Sequence, residues 1–142
     1  MSLDFEGKVA IVTGSGGGIG KGYALELGKR GAKVVVNDLG GAVDGSGGSL
    51  TAAETVVKEI QDNGGDAMAN GANVCNQDEV KNMVEQAMEK WGRVDILVNN
   101  AGILRDKSFA KMPWEDFVTV VNVHLLGSAS VSYTHLTLPT NA

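Results

Sequence analysis

The 142-residue chain lacks several features that would direct it to particular classes of protein. It has one cysteine, Cys75, so an internal disulfide framework is excluded and a reducing compartment is expected. The net charge is −5, with no clustered stripe of lysine and arginine, which argues against a nucleic-acid partner. No apolar run is long enough to cross a bilayer, and the first residues carry no signal-peptide pattern. We therefore expect a soluble cytoplasmic protein of one domain, without a membrane partner or a metal site.

The chain does contain four short apolar runs that alternate with helical patterns. The predicted strands cover residues 8–13, 33–37, 66–70 and 94–99. Strands that alternate with helices imply a parallel sheet with right-handed crossovers. The runs are apolar throughout rather than alternating, which predicts strands covered on both faces. The predicted fold class is α/β, a Rossmann-type doubly wound parallel sheet of about four strands and four helices.

Three of the helices carry local signals for their faces or ends. In the first helix, Ile19, Tyr23 and Leu27 share one face, which we expect to be buried. The third helix is expected to begin after Asn76, whose side chain can cap it together with Glu79 in a capping box. A fourth helix is expected to start near residue 113, a proline, which is favoured in a first turn.

A glycine-dense turn joins the first strand to the first helix. It fits the spacing T-G-x-x-x-G-x-G through Thr13, Gly14, Gly18 and Gly20, and also T-G-x-x-G-x-x-G through Gly17. Glycines allow close approach of a diphosphate, and the following helix N-terminus offers free N–H groups to it. The turn therefore predicts a dinucleotide site, although a purely structural turn is the alternative. Its two spacings leave two kinds of dinucleotide enzyme open.

Asp38 ends the second strand, 20 residues after Gly18. A carboxylate at this place hydrogen-bonds a ribose hydroxyl of the adenosine. It would repel a 2′-phosphate, and Gly17 offers no basic side chain to attract one, so NAD is predicted in preference to NADP. The alternative is a solvated aspartate at a strand end. The glycine-rich segment 39–49 that follows is either a flexible surface loop or a loop at the edge of the cofactor.

Asn99, Asn100, Ala101 and Gly102 close the fourth strand. With the glycine turn and the strand-two aspartate in register, this N-N-A-G motif makes the chain resemble the short-chain dehydrogenase/reductase family over roughly residues 5–129. The motif favours that family's dehydrogenases over its extended branch of sugar-nucleotide epimerases. The resemblance implies that residues 1–130 form the N-terminal portion of an NAD-binding Rossmann domain.

The resemblance also implies which residues contact the cofactor. Gly14, Gly18 and Gly20 would form the diphosphate turn, and Asp38 would hold the ribose. Asn73 and Val74 would lie against the adenine, while Asn100 and Ala101 would line the cleft. The complete predicted set is Gly14, Ser15, Gly17, Gly18, Ile19, Gly20, Asp38, Leu39, Asn73, Val74, Asn100, Ala101 and Gly102.

Within the family, the segments around Asp38 and around Arg105 resemble one subgroup. It contains the (3R)-hydroxyacyl-CoA dehydrogenase part of peroxisomal multifunctional enzyme type 2 and bacterial relatives. The resemblance implies hydride transfer between NAD(H) and a secondary alcohol or ketone, with a 3-hydroxyacyl or 3-oxoacyl thioester as the small-molecule substrate. It also implies a parent protein that is a homo-oligomer.

Two departures from the family pattern affect catalysis. His124 stands where the family commonly has an asparagine that orders a proton-relay water; the imidazole could order that water or simply be packed. The family's catalytic serine and Tyr-x-x-x-Lys are absent. Tyr133 is followed four residues later by Thr137 and comes too soon after Asn99 to be the catalytic tyrosine. We therefore expect an inactive chain, and a non-catalytic nucleotide-binding module or an unfolded fragment is the alternative function.

Residues 131–142 do not continue the fourth helical pattern. They alternate as β-type sequence does, and their back-translation resembles a transposon adapter used in sequencing libraries. This segment is accordingly expected to be a non-native tail.

Overall fold

The computed structural model describes residues 3–41 and 50–137. Its strands are β1 (Val9–Thr13), β2 (Lys33–Asn37), β3 (Asp66–Asn70) and β4 (Ile96–Val98). Its helices are α1 (Gly18–Lys29), α2 (Thr51–Asp62), α3 (Gln77–Trp91), α4 (Trp114–Val121) and α5 (Ser128–Thr137), with a 3-10 turn at Phe109–Lys111. A π-helical segment, Asn122–Gly127, joins α4 to α5, so the fourth predicted helix is one continuous helical run. The glycine-rich segment expected at 39–49 lies largely outside the described residues.

The four strands form one parallel sheet in the order β3-β2-β1-β4. β2 and β3 have the predicted bounds, whereas β4 is three residues long rather than six. β1 and β2 are buried along almost their whole length, and β4 is half-buried at the edge of the described sheet. The prediction of an α/β fold with a Rossmann-type parallel sheet is confirmed.

Alternate residues of β1 belong to two separate apolar clusters, one on each face of the sheet. Val9 and Ile11 pack with the α3 side chains Val80 and Met83. Ala10 and its neighbours in β2 pack with residues of α1 and α2. Both faces are therefore covered by helices, which explains why these strands are apolar at every position.

The buried face of α1 differs from the expected one. Ile19 is 72% exposed and Tyr23 is 49% exposed, whereas Gly20, Ala24 and Gly28 are buried. A Cβ on Gly28 would lie 2.9 Å from Ile60 Cγ2, so α1 and α2 approach more closely than larger side chains allow. Of the three expected residues only Leu27 packs against the core, beside the small residues of this face, so the expectation was wrong for Ile19 and Tyr23.

The N-terminus of α3 has the expected cap in a modified form. Asn76 Oδ1 accepts hydrogen bonds from the N–H groups of Asp78 (3.0 Å) and Glu79 (3.2 Å). The Glu79 carboxylate does not reach back to the Asn76 backbone, as a capping box requires; it accepts from Asn76 Nδ2 and from the Asn73 N–H. The cap therefore also fixes the turn at Asn73.

Residues 131–137 are helical, so the β-type conformation expected there is wrong. Val131 is fully buried in the cluster formed with α3, which anchors α5. Tyr133 and Leu136 are 68% and 78% exposed. The alternating pattern predicted the wrong conformation because one buried apolar residue, Val131, is enough to continue a helix that has already begun. Residues 138–142 of the expected tail lie outside the described residues.

Candidate functional site

The glycine turn is held by main-chain contacts at the carboxyl ends of β1 and β2. The Ser15 N–H donates to Asn37 O (2.9 Å), and Ser15 Oγ donates to Val12 O (2.7 Å). Ser15 is buried, so its hydroxyl is committed to the backbone. A Cβ on Gly20 would overlap Gly14 O and Asn100 Nδ2. Ser15 and Gly20 therefore lie on the buried side of the turn and determine its shape.

The opposite side of the turn is open. A Cβ on Gly17 or Gly18 would meet no heavy atom within 4 Å, and Gly18 has φ +53°. Gly17 is the N-cap of α1 and provides no side-chain cap. The first N–H groups of a helix have no partner within it, and the helix dipole is positive at this end. This geometry suits an anionic group such as a diphosphate.

Asp38 lies beside the glycine turn. Its Oδ2 accepts the Gly16 N–H at 2.8 Å, and its Oδ1 accepts the Gly40 N–H at 2.7 Å. A Cβ on Gly16 would lie 2.8 Å from Asp38 Cγ, so only glycine permits this approach. The carboxylate is thus fixed where β2 ends, next to the open side of the turn.

The N-N-A-G segment ties β4 to β1. Asn100 Nδ2 donates to Thr13 O (3.0 Å) and Gly14 O (2.9 Å). The N–H groups of Asn100 and Ala101 both donate to Thr13 Oγ1. The Asn100 amide therefore links the loop after β4 to the glycine turn after β1.

These elements enclose a cavity of about 650 Å³ at the carboxyl ends of the strands. Eleven of the thirteen predicted cofactor residues line it, namely Gly14, Gly17, Gly18, Ile19, Asp38, Leu39, Asn73, Val74, Asn100, Ala101 and Gly102. Ser15 and Gly20 do not line it, for the packing reasons given above. The structure therefore brings together residues from four separate loops.

Sequence reasoning missed several residues that line the same cavity. Asn37 is buried, and its Nδ2 donates to Asn70 Oδ1 and Ala72 O, both at 3.0 Å. Arg105 and Thr119 approach from the segment after β4 and from α4. The position of Asn37 at a strand end was a usable signal, because polar residues there face the site. Arg105 had no spacing rule to identify it.

His124 lies in the π-helical segment and contacts the loop after β4. Its Nε2 is 2.9 Å from Ile103 O and 3.1 Å from Ile103 N. A Cβ on Gly102 would be 2.6 Å from His124 Cε1, so the ring packs directly on the N-N-A-G segment. Asn122, two residues earlier, lines a different cavity.

That second cavity, of about 630 Å³, lies between α3 and α5 and shares Val74 with the first. It is lined by Cys75, Asn122 and Tyr133 among others. Burial raises the pKa of the Cys75 thiol, so this group is not an activated nucleophile. Tyr133 lines this second cavity and not the one beside Asp38.

A parallel α/β sheet, a glycine turn at a helix N-terminus and an acidic residue after β2 define a dinucleotide-binding domain of the Rossmann type. The sequence model of the family described as short chain dehydrogenase matches residues 8–140. The chain belongs to this family.

Similar proteins support the assignment. Peroxisomal multifunctional enzyme A from Dictyostelium discoideum is 55% identical over 132 residues, which cover 93% of this chain and 29% of that protein. A short chain dehydrogenase from Mycobacterium avium is 47% identical, with a TM-score of 0.83 over 92% of this chain and 45% of that one. A 7α-hydroxysteroid dehydrogenase solved with NADH is 37% identical, with a TM-score of 0.82 over 93% and 48% of the two chains.

The chain spans only 14% to 29% of the length of five similar curated proteins, all of which are named as peroxisomal enzymes. The expectation of a cytoplasmic protein is contradicted by these relatives. It was wrong because it rested on the absence of an N-terminal signal, and composition carries no information on peroxisomes. Within the described ranges 3–41 and 50–137, no helix is both long and apolar enough to cross a membrane.

Proposed function

We propose that this chain binds NAD(H) as the cofactor half of a short-chain dehydrogenase. The observation that carries the proposal is the position of Asp38, fixed by the Gly16 N–H beside the open glycine turn and within the same cavity. A carboxylate on one side and free helical N–H groups on the other match a ribose hydroxyl and a diphosphate, respectively.

The residues present fit such a cofactor. Gly17 and Gly18 leave space above the turn, while Gly14, Gly16 and Gly20 leave none below it. Asn73 and Val74 line the cavity at the end of β3, where an adenine ring would lie next to the ribose on Asp38. When bound, the nicotinamide supplies the hydride acceptor or donor, and the protein supplies binding and orientation.

NAD is the proposed cofactor in preference to NADP. The only charged side chains among the residues lining the cavity in the described part of the chain are Asp38 and Arg105. Asp38 follows β2 and Arg105 follows β4, and β1 lies between these two strands. A 2′-phosphate on the adenosine would therefore meet the carboxylate without a nearby cation to neutralise it.

The proposed substrate of the parent protein is a 3-hydroxyacyl or 3-oxoacyl thioester. Among similar proteins, a 3-oxoacyl-[acyl-carrier-protein] reductase from Synechocystis is 47% identical over 120 residues. A hydratase-dehydrogenase-epimerase from Saccharomyces cerevisiae is 53% identical over 131 residues. Both names are compatible with redox chemistry at the C3 oxygen of an acyl thioester.

The 142-residue chain itself is proposed to bind the cofactor without turning over substrate. Neither of its two tyrosines has a lysine four residues later, since Leu27 follows Tyr23 and Thr137 follows Tyr133 at that spacing. His124 is proposed to hold the loop after β4 through Ile103 rather than to transfer a proton. Without a general acid at the substrate oxygen, hydride transfer has no proton to accompany it.

Residues 131–142 are proposed to be a non-native tail on residues 1–130. The back-translation of this segment, which resembles a transposon adapter, carries the proposal. Genomic sequence across codon 131 tests the proposal. We expect different codons there, and the same codons in the genome would refute it.

Equilibrium binding of NAD and NADP to the wild-type chain and to Asp38→Asn tests the cofactor proposal. We expect the wild type to bind NAD more tightly, and Asp38→Asn to raise the Kd for NAD about tenfold. The Kd for NADP should change less or fall, because the repulsion is removed. Asp62→Asn is the matched control, since Asp62 pairs with Lys58 on the exposed face of α2, away from the cavity. Tighter binding of NADP by the wild type would refute the proposal.

A further inference from the structure

Arg105 is the unexplained charged residue of the cavity. Its side chain is 32% exposed, yet its Nε is buried and has no hydrogen-bond partner among the described residues. Its nearest carboxylate is Asp116, with Oδ1 at 3.8 Å from Nε, beyond hydrogen-bonding distance. Buried donors are nearly always paired in native proteins, so the unpaired Nε–H shows that the Arg105 guanidinium lacks a full set of partners among the described residues.

Asp116 is not paired with Arg105 alone. Lys107 Nζ lies 3.3 Å from Asp116 Oδ2, so the two cations share one carboxylate. Lys107 is half-exposed and does not line the cavity. Arg105 is therefore the only cationic side chain among the described residues that line the cavity.

The sheet order places Arg105 away from the adenosine end. Asp38 follows β2 and Arg105 follows β4, with β1 and its glycine turn between them. Two strand spacings separate the two ends by roughly 10 Å. A dinucleotide that begins at Asp38 and crosses the glycine turn would bring its reactive half, and the substrate, to the side of Arg105.

We propose that Arg105 binds a phosphate group of the substrate, on the carrier portion of its acyl thioester. The guanidinium presents several N–H donors in a planar fork that matches a phosphate. The only carboxylate paired with Arg105 among the described residues, Asp116, is shared with Lys107, so the guanidinium remains available to an anion in the cavity. This inference rests on the proposed function, and it names the feature of the substrate that the β4 side recognises.

The experiment measures binding of acetoacetyl-coenzyme A to the full chain in the presence of NAD. Both ligands are oxidised, so no hydride can move. Acetoacetyl-N-acetylcysteamine, which has the same acyl thioester without phosphates, is the second probe. NADH binding is measured separately for each variant, and thermal unfolding verifies that each variant is folded.

We expect Arg105→Gln to raise the Kd for acetoacetyl-coenzyme A about tenfold, while leaving binding of the cysteamine thioester and of NADH within about twofold. Arg105→Lys should recover part of the loss, because it keeps the charge without the planar fork. Lys107→Gln is the matched control: it removes the same charge from the same carboxylate outside the cavity, and should change neither Kd by more than about twofold.

Other outcomes would overturn the inference. Unchanged binding of acetoacetyl-coenzyme A to Arg105→Gln would show that Arg105 does not contact the substrate. If Arg105→Gln weakens the binding of NADH alone, Arg105 contacts a phosphate of the cofactor and not of the substrate. If it weakens the binding of all three ligands equally, Arg105 has a structural role. If the wild-type chain fails to bind NADH at all, the proposed function fails rather than this inference alone.

Discussion

The glycines of the turn after β1 perform two separate tasks that their sequence spacing does not distinguish. Gly20 faces into the protein, where an added Cβ would overlap Gly14 O and Asn100 Nδ2. Gly17 faces the cavity, where an added Cβ meets no atom within 4 Å. Gly20 is therefore required for packing, whereas Gly17 leaves space for a ligand.

Alanine at these two positions should separate stability from binding. We expect Gly20→Ala to lower the free energy of unfolding by about 1–3 kcal/mol, because the turn must shift to accept the Cβ. Gly17→Ala should leave the free energy of unfolding within about 0.5 kcal/mol while it raises the Kd for NAD, since its methyl occupies cavity space. Urea unfolding and equilibrium NAD binding measure both effects. A stability loss in Gly17→Ala equal to that in Gly20→Ala would contradict the assignment.

Local residue chemistry identified most of the candidate site, and its failures have physical causes. Asp38 could be identified as a candidate because its proposed role depends on a fixed distance along one βαβ unit. Arg105 could not, because its importance comes from an unpaired donor and a shared carboxylate that only the folded chain shows. Ser15 was assigned to the cofactor by position, but its hydroxyl bonds to Val12 O.

At the scale of elements, the sequence determined where β2 and β3 lie but not how α1 packs. The apolar runs of the two strands have sharp ends, and the structure reproduces their bounds. The large residues Ile19 and Tyr23 suggested the wrong face of α1, because the contact with α2 depends on the absence of a side chain at Gly28. The spacing of apolar residues cannot identify a buried helix face whose close packing depends on glycine.

The edge strand β4 is joined to β1 by a charged residue just before it. Asp95 Oδ2 accepts the Val9 N–H at 2.9 Å, and the Asp95 carboxylate is also held by Arg93. The hydrogen bond from Arg93 and, to a smaller extent, that from Val9 hold the pKa of Asp95 below its ordinary value of 3.8. The lowered pKa means that the ionised form stabilises the fold above the ordinary value and that this contribution is lost as pH falls below it.

Asp95→Asn should therefore destabilise the chain in a pH-dependent manner. We expect a loss of about 1–2 kcal/mol in the free energy of unfolding at neutral pH. The difference from wild type should shrink as pH falls below the ordinary value of 3.8, because the unfolded chain binds the proton there before folded Asp95 does. Urea unfolding at several pH values measures this, with Asp62→Asn as the exposed control. A difference that stays constant across that pH range would exclude the carboxylate as its source.

At the scale of the whole molecule, the chain contains the proposed cofactor cavity, and neither of its two tyrosines has a lysine four residues later. The 142-residue chain covers 45% of the similar Mycobacterium avium dehydrogenase, with a TM-score of 0.83. We therefore expect this chain to bind the cofactor without turning over substrate.

We expect no oxidation of NADH by the purified chain with acetoacetyl-coenzyme A, in a sample that does bind NADH. The reason is that no tyrosine–lysine pair is present to protonate the developing alkoxide. Absorbance of NADH over time measures turnover, and fluorescence of bound NADH in the same sample is the control. Protein-dependent consumption of NADH would show that another group supplies the proton.

The central claim is that NAD binds across the carboxyl ends of β1, β2 and β4, and amide chemical-shift mapping during an NAD titration tests it most directly. The account predicts that the largest shifts fall on residues lining the cavity, including Gly17, Asp38, Asn73 and Ala101. The outer face of α2, around Lys58 and Asp62, should be unaffected. Saturable shifts confined to the cavity between α3 and α5, or no shifts at all, would contradict the claim.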